Sequence, residues 1–221
     1  MNAHADDRTR HALALRTLPG VGTRGWHAAV AAHGTPRDAL HALAPGPAAD
    51  EALARADDIA ARCHELGARI VTHDDHAHYP AALRDLAHDA PPLLYALGDL
   101  ALLARPAVAI VGTRHATAPG LRAAHRLARA RKGTRGSFPE RNRVVAGLAD
   151  DTGVVEAGEG SGALITAAAA VDLGREVAAV PGAFEAASCR ASNRLLRDGA
   201  HVIADEADLL TLLGLHGAAA D

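Results

Sequence analysis

Three observations on this 221-residue sequence predict a doubly wound α/β domain preceded by a small all-helical one. Val108-Ala109-Ile110-Val111-Gly112 and Val177-Ala178-Ala179-Val180-Pro181-Gly182 are apolar runs that stop at glycine, the pattern of strands buried on both faces of a parallel sheet. Helix-forming segments alternate with such runs up to Leu213, as they do when helices cover both faces of that sheet. Residues 8–62, by contrast, read as helix throughout. A chain of this length has room for one main domain and a small one. The expected division is a helical domain at 1–66, an α/β domain with a mostly parallel sheet at 67–214, and a tail at 215–221.

Thr9–Leu18 forms a first helix, ended by Pro19-Gly20. Leu18-Pro19-Gly20-Val21-Gly22, followed by Arg24, Trp26 and Val30, has the pattern of a hairpin between helices. Such a turn either presents backbone N–H groups to a phosphate or simply connects two helices where glycine is needed. Pro36–Leu43 and Asp50–Leu66 supply further helices, and Ala68–Thr72 opens a β-type region. His73-Asp74-Asp75-His76-Ala77-His78 gathers three imidazoles and two carboxylates, but they alternate along a loop with no distant ligand in view. Neither a metal nor a cofactor is therefore expected. A short helix starts at Tyr79-Pro80, and Ala90–Gly98 is an extended segment stiffened by its prolines.

After the strand at Val108–Gly112, Gly112-Thr113-Arg114-His115 turns toward a helix opening near Ala118-Pro119, proline being suited to the first helical position. Leu121, Ala124, Leu127 and Ala128 form its apolar stripe. Val154-Val155-Glu156-Ala157 reads as a short buried strand, broken by Gly158, Gly160 and Gly162 before a helix over Leu164–Leu173. The strand at Val177–Gly182 precedes a helix at Asn193–Arg197, a strand at His201–Ala204 and a helix at Glu206–Leu213.

Phe138 to Ala170 is where the chemistry concentrates. Arg141 and Arg143 flank Asn142 before the apolar Val144-Val145-Ala146-Gly147, and the strand, Gly-Ser-Gly turn and helix follow. A strand, a glycine-rich turn and a helix start aim free N–H groups and a positive helix end at an anion. The formal net charge of −3 hides an asymmetry: the segment from Arg105 to Arg143 is +9, with Glu140 as its one acid, and the rest is −12. Gly112, Gly158–Gly162 and Pro181-Gly182 all fall at the C-terminal ends of expected strands, where ligands of open α/β sheets sit. Arg114 would make a bidentate, charge-assisted contact to phosphate, and the Gly160, Ser161 and Gly162 amides would share the load. Two roles are open for Arg141 and Arg143: contact with the ligand, or buttressing of the fold through Glu156 or strand-end carbonyls. Aromatic residues are 2% of the chain, with Phe138 and Phe184 nearest these glycines, so base stacking is expected to add little.

Hydrophobic content of 49% with 22% charge excludes a disordered chain. No apolar run approaches the ~20 residues that span a bilayer, and the N-terminus lacks a signal-peptide core. Cys63 and Cys189 are far apart and make no metal spacing, which suits a reducing cytoplasm.

Together these residues resemble the DNA-processing protein A family (DprA, also called Smf). The resemblance is carried by Tyr79-Pro80 with Leu83, Pro91–Tyr95 with Gly98, Val108–Arg114, and Phe138-Pro139-Glu140-Arg141-Asn142-Arg143. It continues through Glu156, Ser161-Gly162-Ala163, Thr166-Ala167, Val180-Pro181-Gly182, Asn193–Leu196 and Gly199-Ala200. It implies a helical N-terminal domain, a Rossmann-like domain, dimerisation, binding of single-stranded DNA, and service in natural transformation through loading of the RecA recombinase. It adds Thr113, Thr166, Pro181, Gly182 and Asn193 to the candidate nucleic-acid contacts and implies no catalytic residue. This sequence departs from the family in three ways. Arg131–Ser137 stands where relatives carry about two further strand–helix units, including an SGxAxGID element, so a parallel sheet deprived of interior strands must re-pair, take strands from a second chain, or be impaired. Ala191 replaces a glycine two residues before Asn193, and no winged-helix domain is expected after Leu213. The alternative of another class is a phosphoribohydrolase of the lysine-decarboxylase-like (LOG) group. Its PGGxGTxxE signature is only partly met by Pro181-Gly182-Ala183-Phe184-Glu185, and no Ser/His/Asp spacing commits to hydrolysis.

Overall fold

The computed structural model describes residues 6–129 and 139–214, and the chain forms two compact units, Met1–Ala104 and Arg105–Asp221. Arg131–Ser137, Phe138 and the tail at 215–221 lie outside the described residues.

In the first unit, α1 (Asp7–Thr17) starts where the Asp6 carboxylate accepts the Thr9 N–H at 2.8 Å, an N-cap that satisfies one of the helix's orphan donors. α2 (Thr23–His33), α3 (Pro36–Leu43) and α4 (Pro47–Glu65) follow. Both α3 and α4 begin with proline, and Thr35 caps α3 by accepting the Asp38 N–H at 3.1 Å. Leu13, Leu15, Leu40, Leu53 and Trp26 close the helical core. β1 (Arg69–Thr72) and β2 (Leu93–Ala96) form an antiparallel pair, Arg69 opposite Ala96 and Thr72 opposite Leu93, and β1 packs on α1 and α4. Residues 67–104 therefore associate with the helices, and the division falls at 104/105 rather than at 66/67.

In the second unit, β3 (Val108–Val111) leads to α5 (Ala118–Arg129) and α6 (Pro139–Leu148), then β4 (Asp151–Val154) and α7 (Ala163–Asp172). β5 (Val177–Ala179), α8 (Arg190–Arg197), β6 (His201–Val202) and α9 (Glu206–Leu212) complete it. The sheet is parallel in the order β3-β4-β5-β6. Strand alternation sends Val154, Val177 and Ala179 to a core with Ala146 of α6, Ala167 of α7 and Ala191 of α8. Ala178, with Ile203, faces Leu127 of α5 and Leu209 of α9. Helices cover both faces, so the fold is the doubly wound, Rossmann-like α/β arrangement.

One expectation needs correction. β4 is Asp151–Val154, not Val154–Ala157. Asp151 and Gly153 are poor strand formers, but neighbours on both sides support extension: Thr152 pairs with Ala109 and Val177. Gly153 fits closely there: a Cβ would lie 3.2 Å from Ile203 Cδ1 and 3.3 Å from Ile110 Cδ1, and both side chains would have to give way. The strands on the two sides of Arg131–Ser137 pair with each other. β3 and β4 are direct neighbours, Val108 opposite Asp151 and Val111 opposite Val154, so β3 is an edge strand among the described residues.

Candidate nucleic-acid interface

Because the strands are parallel, their C-terminal ends share one edge of the sheet, and three glycine segments meet along it. After β3, the Thr113 N–H donates to the Glu156 carbonyl at 2.7 Å. Gly112 passes so close to the chain after β4 that a Cβ would sit 3.3 Å from that same oxygen. After β4, the Ser161 N–H closes a turn onto the Gly158 carbonyl at 3.1 Å, with Gly160 at φ 76°, where glycine is unstrained. Gly158 in turn lies against the segment before α8, its Cβ position 3.0 Å from the Ala187 carbonyl oxygen. The Ala191 and Ser192 N–H groups both donate to the Ala157 carbonyl, at 2.9 and 3.1 Å. That close approach is made with Ala191 in place of glycine.

Glu156 organises the rim from beneath. It is 3% exposed, and its Oε2 accepts the Thr117 N–H at 3.0 Å and the Thr117 hydroxyl at 3.1 Å. The carboxylate thus sits at the N-terminal end of α5, where negative charge is favoured. Gly120 leaves the room: a Cβ there would fall 2.0 Å from Oε2. Among the described residues Glu156 Oε1 has no hydrogen-bond partner. Thr117 and Gly120 are supports that sequence patterning does not find, because their role exists only through Glu156, 39 residues away from Thr117.

The candidate residues separate into groups. Gly112, Thr113, Arg114, Gly160, Ser161 and Gly162 come together at the exposed edge. The Gly160 and Gly162 amides have no acceptor among the described residues, and the exposed Arg114 meets no carboxylate there. Asn142 is a latch: its Nδ2 donates to the Gly162 carbonyl at 3.3 Å, tying α6 to the start of α7. Among the described residues Arg143 approaches Asp172 of α7 at 4.0 Å and makes no ion pair with Glu156. The Arg141 side chain lies outside the described residues. Pro181 and Gly182 do reach the edge, but the Gly182 N–H is engaged. It donates to Asn193 Oδ1 at 3.0 Å while Asn193 Nδ2 donates to the Gly182 carbonyl at 3.0 Å. Asn193 is therefore a clamp on the loop, with one donor and one acceptor position of its amide taken up by Gly182. Thr166 is 2% exposed in the interior of α7 and presents nothing to the edge, because its position in the helix turns it to the sheet.

Perturbed carboxyls lie elsewhere. Asp151 opens β4 at the opposite end of the strand, where burial, then Asp150 and Glu176, push its pKa up. Arg126 and Glu206 join α5 to α9 by two hydrogen bonds of 2.7 and 2.8 Å. In the other unit, Arg24 of the hairpin pattern is held by both Asp89 oxygens at 2.6 and 2.9 Å. The Asp75 carboxylate is occupied by Ala77 and His78, and Asp74 by Arg8.

The chain is similar to Smf of Synechocystis sp., 42% identical over 83 residues, which is 38% of this chain and 21% of that protein. Smf of Escherichia coli is 39% identical over 82 residues, 36% of this chain and 22% of that protein. The DNA processing protein DprA of Bacillus subtilis is 42% identical over 72 residues, 33% of this chain and 24% of that protein. The aligned part thus spans about a fifth to a quarter of these relatives' lengths. The X-ray structure of DNA processing protein A (DprA) from Streptococcus pneumoniae shares the fold, with a TM-score of 0.71 at 22% identity, covering 92% of this chain and 97% of that one. No helix among the described residues is long and apolar enough to cross a membrane. The profile of the DNA recombination-mediator protein A family matches residues 69–134 and 127–214, two segments that overlap, and the chain belongs to that family.

Proposed function

We propose that this chain binds single-stranded DNA without sequence preference, as a homodimer in the cytoplasm, and serves DNA uptake by protecting incoming strands and helping to load RecA onto them. The observation that supports this most is the exposed edge itself. Beyond the C-terminal strand ends lie the Gly160 and Gly162 amides and the Arg114 guanidinium, none of them engaged among the described residues. The protein acts by binding and not by catalysis. Thr113 and Ser161 turn the chain, Asn142 and Asn193 hold the loops, and the guanidinium of Arg114 supplies the charge. Affinity is mostly electrostatic and falls as salt rises, because releasing counterions from the phosphates then gains less.

The test is a titration of the full chain with single- and double-stranded oligonucleotides at two salt concentrations, with its mass measured by light scattering. Single strands of any sequence are expected to bind, and Arg114→Ala to weaken them uniformly, lowering the salt slope by ~0.7 for each phosphate no longer neutralised. An unchanged slope in Arg114→Ala removes Arg114 from the site. Failure of the wild type to bind, together with release of free base from a nucleoside monophosphate, replaces this reading by the phosphoribohydrolase one.

A further inference from the structure

Phe184 is 85% exposed and lies two residues past the Pro181-Gly182 strand end. The turn that carries it is held on every side. The Ala186 N–H donates to the Ala183 carbonyl at 3.0 Å across the turn, and the Cys189 N–H to the Ala186 carbonyl at 2.9 Å. Before it, Asn193 clamps Gly182; after it, the Ala187 carbonyl abuts Gly158. The ring is thus presented on a fixed support, so little ordering cost remains for whatever it meets. The other described aromatics do not share this position: Trp26 and Tyr79 are buried in the first unit, and Tyr95 is on β2.

The next element along the chain is α8, whose Arg190, Arg194 and Arg197 recur at spacings of four and three and so form one stripe. The opposite side carries the buried Ala191 and Ser192. Arg190 has no partner among the described residues. Arg194 approaches Glu159 only at 3.7 Å and Arg197 its neighbour Asp198 at 3.4 Å, all four side chains being exposed. An exposed ring on a tied-down turn, followed along the chain by a row of guanidinium groups, matches the alternation of a single strand, in which bases offer π-faces and the backbone offers charge.

We propose that Phe184 is a stacking platform for an unpaired nucleobase and that the Arg190, Arg194 and Arg197 stripe holds the adjoining phosphates. This rests on the single-strand reading above and adds to it a contact made to bases and a second line of charge. The full chain is titrated by fluorescence anisotropy with a labelled oligothymidylate and with an abasic oligonucleotide of equal length. The wild type favours the thymidylate. Phe184→Ala weakens the thymidylate about tenfold and leaves the abasic strand as before, and Phe184→Trp restores the affinity. Arg190→Gln with Arg194→Gln weakens both strands and lowers the salt slope.

Thymidylate affinity unchanged in Phe184→Ala overturns the platform while leaving DNA binding by the chain intact. Equal losses on both strands also overturn it, since they report a distorted loop. A change in mass by light scattering without a change in DNA affinity assigns the ring to a protein contact instead. If the wild type binds neither strand, the single-strand reading fails and this one falls with it.

Discussion

In the first unit Arg10 and Arg24 each place two donors on one carboxylate, Asp57 at 2.7 and 2.7 Å and Asp89 at 2.6 and 2.9 Å, whereas in the second Arg114 and Arg190 meet none among the described residues. The same residue type closes a fold in one place and is left available in the other. Composition alone gives no sign of this, because both units carry arginine and acid in quantity. What differs is which groups hold the backbone. The helical unit ties its elements with ion pairs between side chains. The sheet unit ties its loops with a buried glutamate and with asparagine amides aimed at main-chain atoms, which leaves guanidinium groups such as those of Arg114 and Arg190 available. Arg126, paired with Glu206, shows that the second unit uses ion pairs too, between α5 and α9.

If the loop clamps are what fix the edge, disturbing one should cost more than removing any arginine. Gly182 is the sharpest place to try. A Cβ there would lie 2.3 Å from Cys189 Sγ and 2.6 Å from Cys189 Cβ, and the loop cannot retreat while Asn193 holds both its N–H and its carbonyl. Gly182→Ala is expected to destabilise the second unit by about 2 kcal/mol, within the range for overpacking, as read from urea unfolding. Adding Cys189→Gly removes the obstructing side chain and should recover some of that stability. A double variant that sums the two single effects would show that the two positions do not touch.

Removing a paired arginine is expected to do less. Arg10 and Asp57 are about two-fifths exposed or slightly less, so solvent screens the pair and Arg10→Ala should cost no more than about 1 kcal/mol. The same variant should leave single-strand affinity unchanged. A fall in DNA binding in Arg10→Ala comparable to that in Arg114→Ala would erase the contrast between the units.

The fold is legible wherever a local pattern agrees with the tertiary role. Val108–Gly112 is strand by its own apolarity, and Ala163–Asp172 is helix by its own propensity. β4 is displaced in the sequence pattern because the apolar pair Val154 and Val155 falls at and just past its end, while Asp151-Thr152-Gly153 carries no apolar run and is held extended by pairing on both sides. α6 escapes the pattern although Pro139 stands at its start. Within the candidate site, glycines betray the turns, since Gly160 needs its positive φ. The polar supports are harder. Nothing local tells that Asn193 clamps Gly182, or that Thr117 and Gly120 accommodate Glu156. Those are facts about residues distant in sequence, visible only once the chain has folded.

The smallest expected effect separates the units by pH. His73 is half-buried between the His27 ring, 5.0 Å away, and the Tyr79 ring, 5.1 Å away, with the Arg84 guanidinium 5.3 Å over Tyr79. Burial lowers its pKa first, and the positive fields of His27 and Arg84 lower it further, against a small opposing pull from Asp74. In the unfolded chain the imidazole titrates near about 6.5, so on acidification the unfolded state takes up the proton before the folded one does. The stability associated with neutral His73 is therefore complete above the unfolded value, and it declines as pH falls toward and through the depressed folded value. His73→Phe keeps a ring for its neighbours and deletes the titration. Urea unfolding of the first unit at pH 7.5 and 5.5 should show a smaller pH-dependent loss in the variant than in the wild type. With 14 histidines in the chain, the absolute slope says little, but the difference between the two proteins belongs to His73. Equal slopes would mean that the charged ring is accommodated as well in the folded unit as in water.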